Sequence, residues 1–328
     1  MYIEGIESDE LVELASRIPE VLCRSRAPNT LSTYKSHFSK WQKWAANYPE
    51  VVVMPANGNY IVLFMLSLLQ LESSFSTIQQ IFYAIKFYHQ ICNYLDPCNQ
   101  LCYNILEAIK RILSKPVRKK LPITVAHLQN MYQSFGGNII GKLENLRTMT
   151  ICLLSFAGFL RFSECIALRR SDLIISKTHA KIFIEQSKTD KYRQGHWLHI
   201  ARINSELCPI KMLEEYLLRT KIKEGSEKFL FRGITSTRNG ELLRECDKHV
   251  CYETIRKQVL LALKPFVADI KEYGLHSLRR GGATAAANLG IKDRLFQKHG
   301  RWKSEKIKDG YVEEDLNSLL LVSKKLGL

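Results

Sequence analysis

The chain has 328 residues, which is enough for two domains with separate hydrophobic cores. Lysine and arginine outnumber aspartate and glutamate by 16, and 13 of these excess positive charges follow residue 120, so a polyanionic partner is favoured. The most apolar run, residues 60–71, is shorter than the roughly 20 residues of a membrane-spanning helix, which argues against a membrane protein.

The nine cysteines are scattered, and the pairs Cys98/Cys102 and Cys246/Cys251 do not form a zinc quartet with nearby histidines. We therefore expect reduced thiols in an intracellular protein, several of them in the core, and no metal site. Residues 1–20 are acidic and amphipathic and do not have the basic and apolar segments of a secretion signal.

Apolar residues recur at helical spacing through the first third of the chain, which predicts an all-helical domain over residues 1–113. We expect no strand before residue 120. The predicted helices cover residues 1–20, 31–48, 57–72, 76–95 and 99–113.

Residues 114–122 contain two prolines and four cations and have no apolar period. This composition predicts a basic interdomain linker, although an ordinary solvated loop has the same composition. A nuclear-import signal is a weaker alternative. A basic linker in a DNA-binding protein can also run along phosphates.

Residues 123–328 form the second predicted domain, in which the apolar period changes twice. Short alternating segments at 172–176, 180–186 and 197–200 predict a three-stranded antiparallel meander among helices. The whole chain is thus expected to be mainly α with a small antiparallel β-sheet. Its helices are predicted at residues 124–135, 142–157, 163–169, 210–222, 247–263, 276–289, 292–299, 303–311 and 313–326.

Arg161 and Glu164 lie three residues apart, so they are neighbours on one helical face. A glutamate beside an arginine can fix the guanidinium plane for a bidentate grip on phosphate. A surface ion pair of little energetic value is the alternative. Phenylalanine and leucine side chains surround Arg161 in the sequence, which indicates a partly buried arginine that needs an anion.

Lys188 lies in the polar loop that joins the second and third predicted strands. A lysine at a hairpin tip can reach into a cleft and protonate a leaving group. Lys191, three residues along the same loop, is a competing candidate. An ordinary solvated lysine is the alternative for both.

His276 and Arg279 stand at the start of a predicted helix, with the imidazole and the guanidinium on one face. The helix N-terminus adds positive potential there, so the pair is suited to an anion. Gly281 and Gly282 follow, and they allow this helix to pack closely against a neighbour. Tyr311 comes 32 residues after Arg279.

From the Arg161 segment onward the chain resembles the tyrosine recombinase, or phage integrase, family. The resemblance covers residues 124–320 and rests on the Gly-Phe-Leu-Arg161-x-x-Glu164 segment, the His276-x-x-Arg279-x-Gly-Gly box and Tyr311. The first domain is similar to the family's core-binding, SAM-like domain in size and helicity. This resemblance implies a two-domain DNA-breaking-rejoining enzyme that needs no metal ion or other cofactor.

The resemblance also implies a role for each matching residue. Tyr311 is the nucleophile that forms a 3′-phosphotyrosyl link, and Lys188 is the general acid for the 5′-hydroxyl leaving group. The position nine residues before the nucleophile is usually histidine in this family and tryptophan in some members, and here it is Trp302. His299 is out of register. Charge on the non-bridging oxygens is stabilised by Arg161, Arg279, His276 and Trp302, while Glu164 orients Arg161 or its neighbours.

The implied partner is double-stranded DNA, held by a homo-oligomer in which four subunits surround two duplexes. A short apolar helix after Tyr311 is expected to dock on a neighbouring subunit, and folding back onto its own core is the alternative. The divergent sequence and the many cysteines are most similar to recombinases of eukaryotic mobile elements, the DIRS and Ngaro retrotransposons or cryptons, which implies a nuclear location.

Two other functions fit the same residues. A type IB topoisomerase uses similar chemistry but religates the same strand, and the small helical first domain and the tail helix favour a recombinase over it. A domesticated, non-catalytic DNA-binding protein on the same fold is the second alternative. The presence of every expected catalytic residue type argues against such decay.

Overall fold

The computed structural model describes residues 5–116, 118–137, 140–187, 190, 192–238, 240–314 and 316–326. The chain divides into two compact units, Met1–Val117 and Arg118–Leu328. Helices dominate both units, and the described strands form two small antiparallel sheets in the second unit. The predicted mainly α fold with a small antiparallel sheet is therefore confirmed. Within the described ranges, no helix is long and apolar enough to cross a membrane.

The first unit is helical throughout its described part. Its helices are α1 (Asp9–Ser16), α2 (Ile18–Cys23), α3 (Pro28–Ala45), α4 (Gly58–Gln70), α5 (Phe75–Ile91) and α6 (Gln100–Ile112). The side chains of Asn57, Ser74 and Asn99 cap α4, α5 and α6 by accepting a main-chain N–H from the first turn. Trp41 is fully buried in the core, and its indole N–H donates to the Val53 carbonyl (3.1 Å).

Two helix starts in this unit differ from the prediction, and proline explains both. The helix predicted over residues 1–20 is two helices, because Pro19 lies in the first turn of α2, where its missing N–H costs nothing. Helix α3 begins at Pro28 instead of residue 31 for the same reason.

The second unit is built around a central helix, α8, almost all of which is buried. Helices α10 and α12 pack against it. In chain order the elements are α7 (Val125–Ser134), α8 (Leu143–Ala157), α9 (Phe162–Ile166), β1 (Leu173–Ile175), β2 (His179–Ile184), β3 (His196–Ala201), α10 (Pro209–Thr220), β4 (Ile234–Thr237), β5 (Gly240–Leu243), α11 (Tyr252–Leu263), α12 (His276–Asn288), α13 (Asp293–Gly300), α14 (Glu305–Asp309) and α15 (Leu316–Lys324).

Strands β1, β2 and β3 form the predicted antiparallel meander, in that order. Ile182 of β2 pairs with Leu173 on one side and Leu198 on the other. Alternate residues of β2, Ala180, Ile182 and Ile184, are buried, so one face of this sheet packs onto the core.

The second hairpin, β4–β5, was absent from the prediction, and its strands are short and largely solvent-facing. Helix α11 begins at Tyr252, five residues later than predicted. The residues before it are extended, since His249 forms a β-bridge with Arg232 and the Val250 N–H donates to the Phe231 carbonyl (2.8 Å). Helices α14 and α15 are shorter than the predicted 303–311 and 313–326.

The segment from Arg118 onward belongs to the second unit, although residues 114–122 were predicted as one linker. The Leu121 N–H donates to the Glu272 carbonyl (2.8 Å), and the Ile123 N–H donates to the Ser277 carbonyl (3.0 Å). These bonds hold the end of the segment beside the start of α12.

Candidate active site

Arg161 lies at the end of a tight turn between α8 and α9. Phe159 has a left-handed backbone (φ 46°), and the Leu160 N–H donates back to the Ser155 carbonyl (3.0 Å). Arg161 is the N-cap of α9, which begins one residue before the predicted start at Ser163. The turn therefore projects Arg161 from the C-terminal end of the central helix.

Glu164 fixes Arg161 at both ends of the arginine. Its Oε2 accepts the main-chain N–H of Arg161 (2.9 Å), and its Oε1 accepts from Arg161 Nη1 (2.6 Å). The Glu164 side chain is 1% exposed and that of Arg161 is 15% exposed. This pair is thus largely desolvated, unlike the surface ion pair that sequence alone allowed, and the orientation of the guanidinium is set.

Two further arginines converge on the same carboxylate. Arg301 Nη2 lies 3.0 Å from Glu164 Oε2, and Arg279 Nη1 lies 3.9 Å from the same oxygen. Burial alone would raise the pKa of Glu164, but Arg301, Arg161 and Arg279 together hold it below its ordinary value. Glu164 is therefore a carboxylate anion that pairs with three arginines, and these four side chains together carry a net positive charge.

Arg279, on α12, has a fully buried side chain. Its guanidinium donates to the carbonyls of Phe159 and Gly300, the latter at 2.8 Å. Its guanidinium carbon lies 5.2 Å from the Trp302 ring centre and 4.9 Å from the Tyr311 ring centre. Burial, then repulsion from Arg161, lowers the pKa of Arg279 to about 10, so it remains a cation at neutral pH.

His276, the first residue of α12, lies beside Tyr311 with their ring centres 5.2 Å apart. Desolvation and then Arg279, Arg161 and Arg280 lower its pKa below the ordinary 6.5. Because the His276 side chain is exposed to solvent, repulsion from the neighbouring arginines explains its lowered pKa better than burial does. A neutral imidazole at pH 7 has one N–H to donate and one lone pair that can accept a proton.

Trp302 and Tyr311 complete the cluster, with ring centres 5.4 Å apart. Trp302 is 5% exposed, and its indole N–H has no hydrogen-bond acceptor in the described part of the chain. The Tyr311 main chain is held through Thr284, whose hydroxyl donates to the Tyr311 carbonyl (3.4 Å) and accepts the Glu313 N–H (3.1 Å).

This arrangement has the chemistry of an anion site next to a phenol. Guanidinium groups and a free indole donor face a partly exposed tyrosine, and a neutral histidine lies beside that tyrosine.

The sequence pattern of the family described as "Phage integrase family" matches residues 128–317, which is more than half of the chain.

The chain belongs to the phage integrase family, the tyrosine recombinases. This confirms both the resemblance and the prediction of a DNA strand-transferring enzyme. A curated relative of this recombinase, "Integrase/recombinase xerD homolog" from Selenomonas ruminantium, is 29% identical over 314 residues, covering 94% of this chain and 88% of the relative.

Solved structures confirm the fold of the recombinase. XerH site-specific recombinase, in a post-cleavage complex with its palindromic difH substrate, has a TM-score of 0.65 at 13% identity, covering 98% of this chain and 87% of that one. A lambda integrase dimer bound to a COC′ core site has a TM-score of 0.55 at 17% identity, covering 95% and 83%.

The structure brings together six of the predicted site residues of the recombinase. Lys188 and Lys191 lie outside the described residues, so the choice between them stays a prediction. His299, judged out of register, contacts the main chain: its Nε2 lies 2.8 Å from the Ala157 carbonyl oxygen, and its ring packs edge-on against Phe159. The six residues are Arg161, Glu164, His276, Arg279, Trp302 and Tyr311.

Arg301 is the residue of the recombinase site that the sequence reasoning missed. It directly precedes Trp302, yet helix C-termini commonly carry solvent-exposed arginines, so its position alone gives no sign that it points inward. Next to it, a cleft of about 420 Å³ runs between α13 and described residues of the connection between β2 and β3. Described residues on both walls include Asp190, His196, Lys298 and Lys303.

Proposed function

We propose that this recombinase cleaves and rejoins duplex DNA through Tyr311. The phenolic oxygen attacks the scissile phosphorus and forms a 3′-phosphotyrosyl ester, while the bond to the 5′-oxygen breaks and leaves a free 5′-hydroxyl. The observation that carries the proposal is the cation beside the phenol: the Arg279 guanidinium carbon lies 4.9 Å from the Tyr311 ring centre.

Arg161, Arg279 and Trp302 are proposed to hold the non-bridging oxygens of that phosphate. Charge on these oxygens grows in the transition state, so donors that are already in place stabilise it more than the ground state. The buried indole N–H of Trp302 has no described acceptor, and a phosphate oxygen would supply one.

Two proton transfers accompany the exchange. Tyr311 must lose its phenolic proton, and the lone pair of neutral His276, whose ring lies 5.2 Å from the tyrosine ring, is the proposed acceptor. The departing 5′-oxygen must gain a proton, which we assign to Lys188, with Lys191 as the competing candidate. The phosphotyrosyl ester conserves the bond energy, so another 5′-hydroxyl can reseal the strand without a cofactor.

Double-stranded DNA is the proposed partner, and a tetramer on two duplexes is the proposed assembly. XerH and lambda integrase, which share the fold, are described as bound to their DNA sites. The chain's own net charge of +16 favours the same polyanion. We assign subunit contact to α15, which exposes five large apolar residues in or beside it: Leu316, Leu319, Leu320, Leu321 and Leu326.

A place among eukaryotic mobile elements, and with it a nuclear location, stays a prediction from the divergent sequence. The curated relative named above is from a bacterium. The family match favours strand exchange between sites over the topoisomerase alternative.

The test is a suicide substrate, a duplex with a nick close to the cleavage position, so that the short product diffuses away and the covalent complex accumulates. Wild-type protein should become attached to DNA, and Tyr311→Phe should not. Tyr252→Phe is a matched control, because this exposed tyrosine keeps its ring contact with Phe162 when only the hydroxyl is removed. Attachment that persists in Tyr311→Phe would overturn the assignment of the nucleophile.

Two other results would redirect the proposal. Tight DNA binding without any covalent complex would indicate a non-catalytic protein on this fold. Relaxation of supercoiled DNA without exchange between two duplexes would indicate topoisomerase-like religation of the same strand.

A further inference from the structure

Arg301 occupies a strained position for an arginine. It is the C-cap of α13 and has a left-handed backbone conformation, with φ 56° and ψ 36°. Residues with a Cβ atom adopt this region rarely, and such outliers persist where the surrounding structure fixes them. The side chain of Arg301 is only 7% exposed, and its guanidinium is bonded to buried acceptors that hold the residue in this conformation.

The terminal nitrogens of Arg301 are fully used on protein acceptors. Nη1 donates to the carbonyls of Gly158 (3.2 Å) and His299 (3.1 Å). Nη2 donates to the carbonyl of Phe159 (3.1 Å) and to Glu164 Oε2 (3.0 Å). These four bonds use both terminal nitrogens, and the remaining Nε–H is buried. Arg301 therefore has no pair of free N–H groups for a two-point grip on a phosphate.

Two of the four acceptors of Arg301 also hold the proposed phosphate-binding arginines. The Phe159 carbonyl also accepts from Arg279, and Glu164 also holds both ends of Arg161. The residue after Arg301 is Trp302, the indole donor. One guanidinium thus joins the turn before Arg161, the carboxylate that orients it, and the segment that leads to the nucleophile.

Charge balance gives Arg301 a second effect. Three arginines around one glutamate leave a net charge of +2, with His276 neutral. A phosphodiester carries one negative charge, and its five-coordinate transition state carries two. The cluster therefore matches the transition state better than the ground state, and without Arg301 its net charge would fall to +1.

We propose that Arg301 is a positioning residue for DNA cleavage, acting through Glu164 and the Phe159 carbonyl to set Arg161, Arg279 and Trp302 around the scissile phosphate. This inference rests on the proposed function. It predicts that loss of Arg301 slows the chemical step at saturating DNA and leaves DNA affinity almost unchanged, because other cations hold the DNA backbone.

Arg301→Gly is the variant that isolates the side chain. Glycine adopts the left-handed conformation freely, so the helix end keeps its shape while the guanidinium is lost. Lys221→Gly is the matched control: Lys221 is the C-cap of α10 with nearly the same backbone, φ 53° and ψ 31°. The Lys221→Gly substitution also removes a cation from a left-handed helix end, but at a position outside the proposed site.

The measurements are the single-turnover rate of covalent complex formation on the nicked substrate at saturating DNA, the dissociation constant for DNA, and the melting temperature. We expect Arg301→Gly to react about 100-fold more slowly, with a dissociation constant within about threefold of wild type. Lys221→Gly should react at the wild-type rate. If Arg301→Gly reacts within about threefold of wild type, or loses affinity instead of rate, the inference is overturned.

A double-mutant cycle separates positioning from a merely structural role. If Arg301 acts through Glu164, Arg301→Gly combined with Glu164→Gln should be scarcely slower than the slower single variant. If the rate loss of the double variant equals the product of the two single losses, Arg301 acts independently of Glu164, and the inference is rejected. Failure of wild-type protein to form the Tyr311 link would instead reject the proposed function, so the two failures are distinguishable.

Discussion

Trp302 keeps a buried N–H without a described acceptor, and the Nε–H groups of Arg279 and Arg301 beside it are buried without one as well. A buried donor without a partner costs free energy, so a site that retains one is prepared for a ligand that supplies the acceptor. Unlike a histidine at this position, an indole donates at every pH and exchanges no proton. The proposed hydrogen bond from Trp302 to the phosphate should therefore not change with pH through protonation of residue 302.

Replacing Trp302 with phenylalanine should separate its donor from its packing. Phenylalanine keeps much of the ring contact with Phe159 and Phe296 but has no N–H. We expect the single-turnover cleavage rate to fall roughly 10- to 100-fold with little change in melting temperature, because the lost bond acts mainly in the transition state. Trp302→His, which restores a donor, should recover part of the rate.

Trp197→Phe is the control for that experiment, because this tryptophan of β3 is 42% exposed. It should cleave at the wild-type rate. A Trp302→Phe protein that also cleaves at the wild-type rate would show that the indole N–H does not touch the reacting phosphate.

His299 should make the folded protein sensitive to mild acid. Burial, and then Arg301 and Arg279, lower its pKa below the ordinary 6.5, although its contact with the Ala157 carbonyl opposes this. The unfolded chain therefore binds this proton more tightly than the folded chain, so the stability that His299 contributes is lost as pH falls below 6.5.

The melting temperature at about pH 7.5 and about pH 5.5 tests this effect, in the window where a normal histidine titrates but carboxylates do not. Wild type should melt at a lower temperature at the lower pH, and His299→Asn should show a smaller difference. An equal difference in both proteins would mean that His299 is not buried as described.

At the scale of elements, the packing of α12 against its neighbours sets the position of His276 and Arg279. A Cβ atom on Gly281 would lie 1.9 Å from the Ile123 carbonyl oxygen, and one on Gly282 would lie 2.0 Å from the Phe156 carbonyl oxygen. Both obstacles are main chain and cannot rotate away. Two glycines therefore let α12 approach closely enough for Arg279 to reach the turn at Phe159.

Gly281→Ala should destabilise the second unit by about 1–3 kcal/mol, since the added methyl forces the helix away from its neighbours. It should also slow cleavage more than stability alone explains, because α12 carries two site residues. Gly274→Ala is the control: its Cβ atom would meet nothing within 4 Å, so stability should change little. Chemical denaturation of both variants measures the difference, and equal stabilities would contradict the packing account.

The elements that periodicity predicted are those with one buried face. Strand β2 alternates Ala180, Ile182 and Ile184 inward, so its pattern shows in the sequence, whereas β4 has no buried residue and gives no such pattern. The clustering of Arg279, Trp302 and Tyr311 could be predicted because their spacing is local to the sequence, while their catalytic roles stay a prediction. Arg301 was not, because its role depends on contacts with residues about 140 positions away in the sequence.

At the scale of the whole molecule, charge is distributed unequally: residues 1–120 carry a net +3 and residues 121–328 a net +13. The unit with the proposed chemistry is thus also the strongly basic one. DNA affinity should come mainly from many phosphate contacts and fall steeply with salt. A single substitution in the active site would then change the cleavage rate more than the affinity for DNA.

Helix α15 gives the last prediction, which concerns assembly. Leu316, Leu319 and Leu320 lie at i, i+3 and i+4, so they share one helical face, and they are 68%, 60% and 38% exposed. Burying a leucine against another subunit contributes about 1.5–3 kcal/mol, so a charge at this face should block the contact. Leu319→Glu should therefore reduce strand exchange and the joining of two duplexes much more than covalent attachment to the nicked substrate.

Leu218→Glu is the matched control, because Leu218 is a 73% exposed leucine on α10 and the substitution changes the net charge equally. Electrophoresis of protein–DNA complexes counts the duplexes in each assembly, and exchange is scored between two labelled sites. Since Leu319 is exposed, its substitution should leave the melting temperature of the isolated chain unchanged, and a large drop would mean that α15 packs on its own subunit. If Leu319→Glu and Leu218→Glu both exchange strands at the wild-type rate, the subunits are joined by another surface.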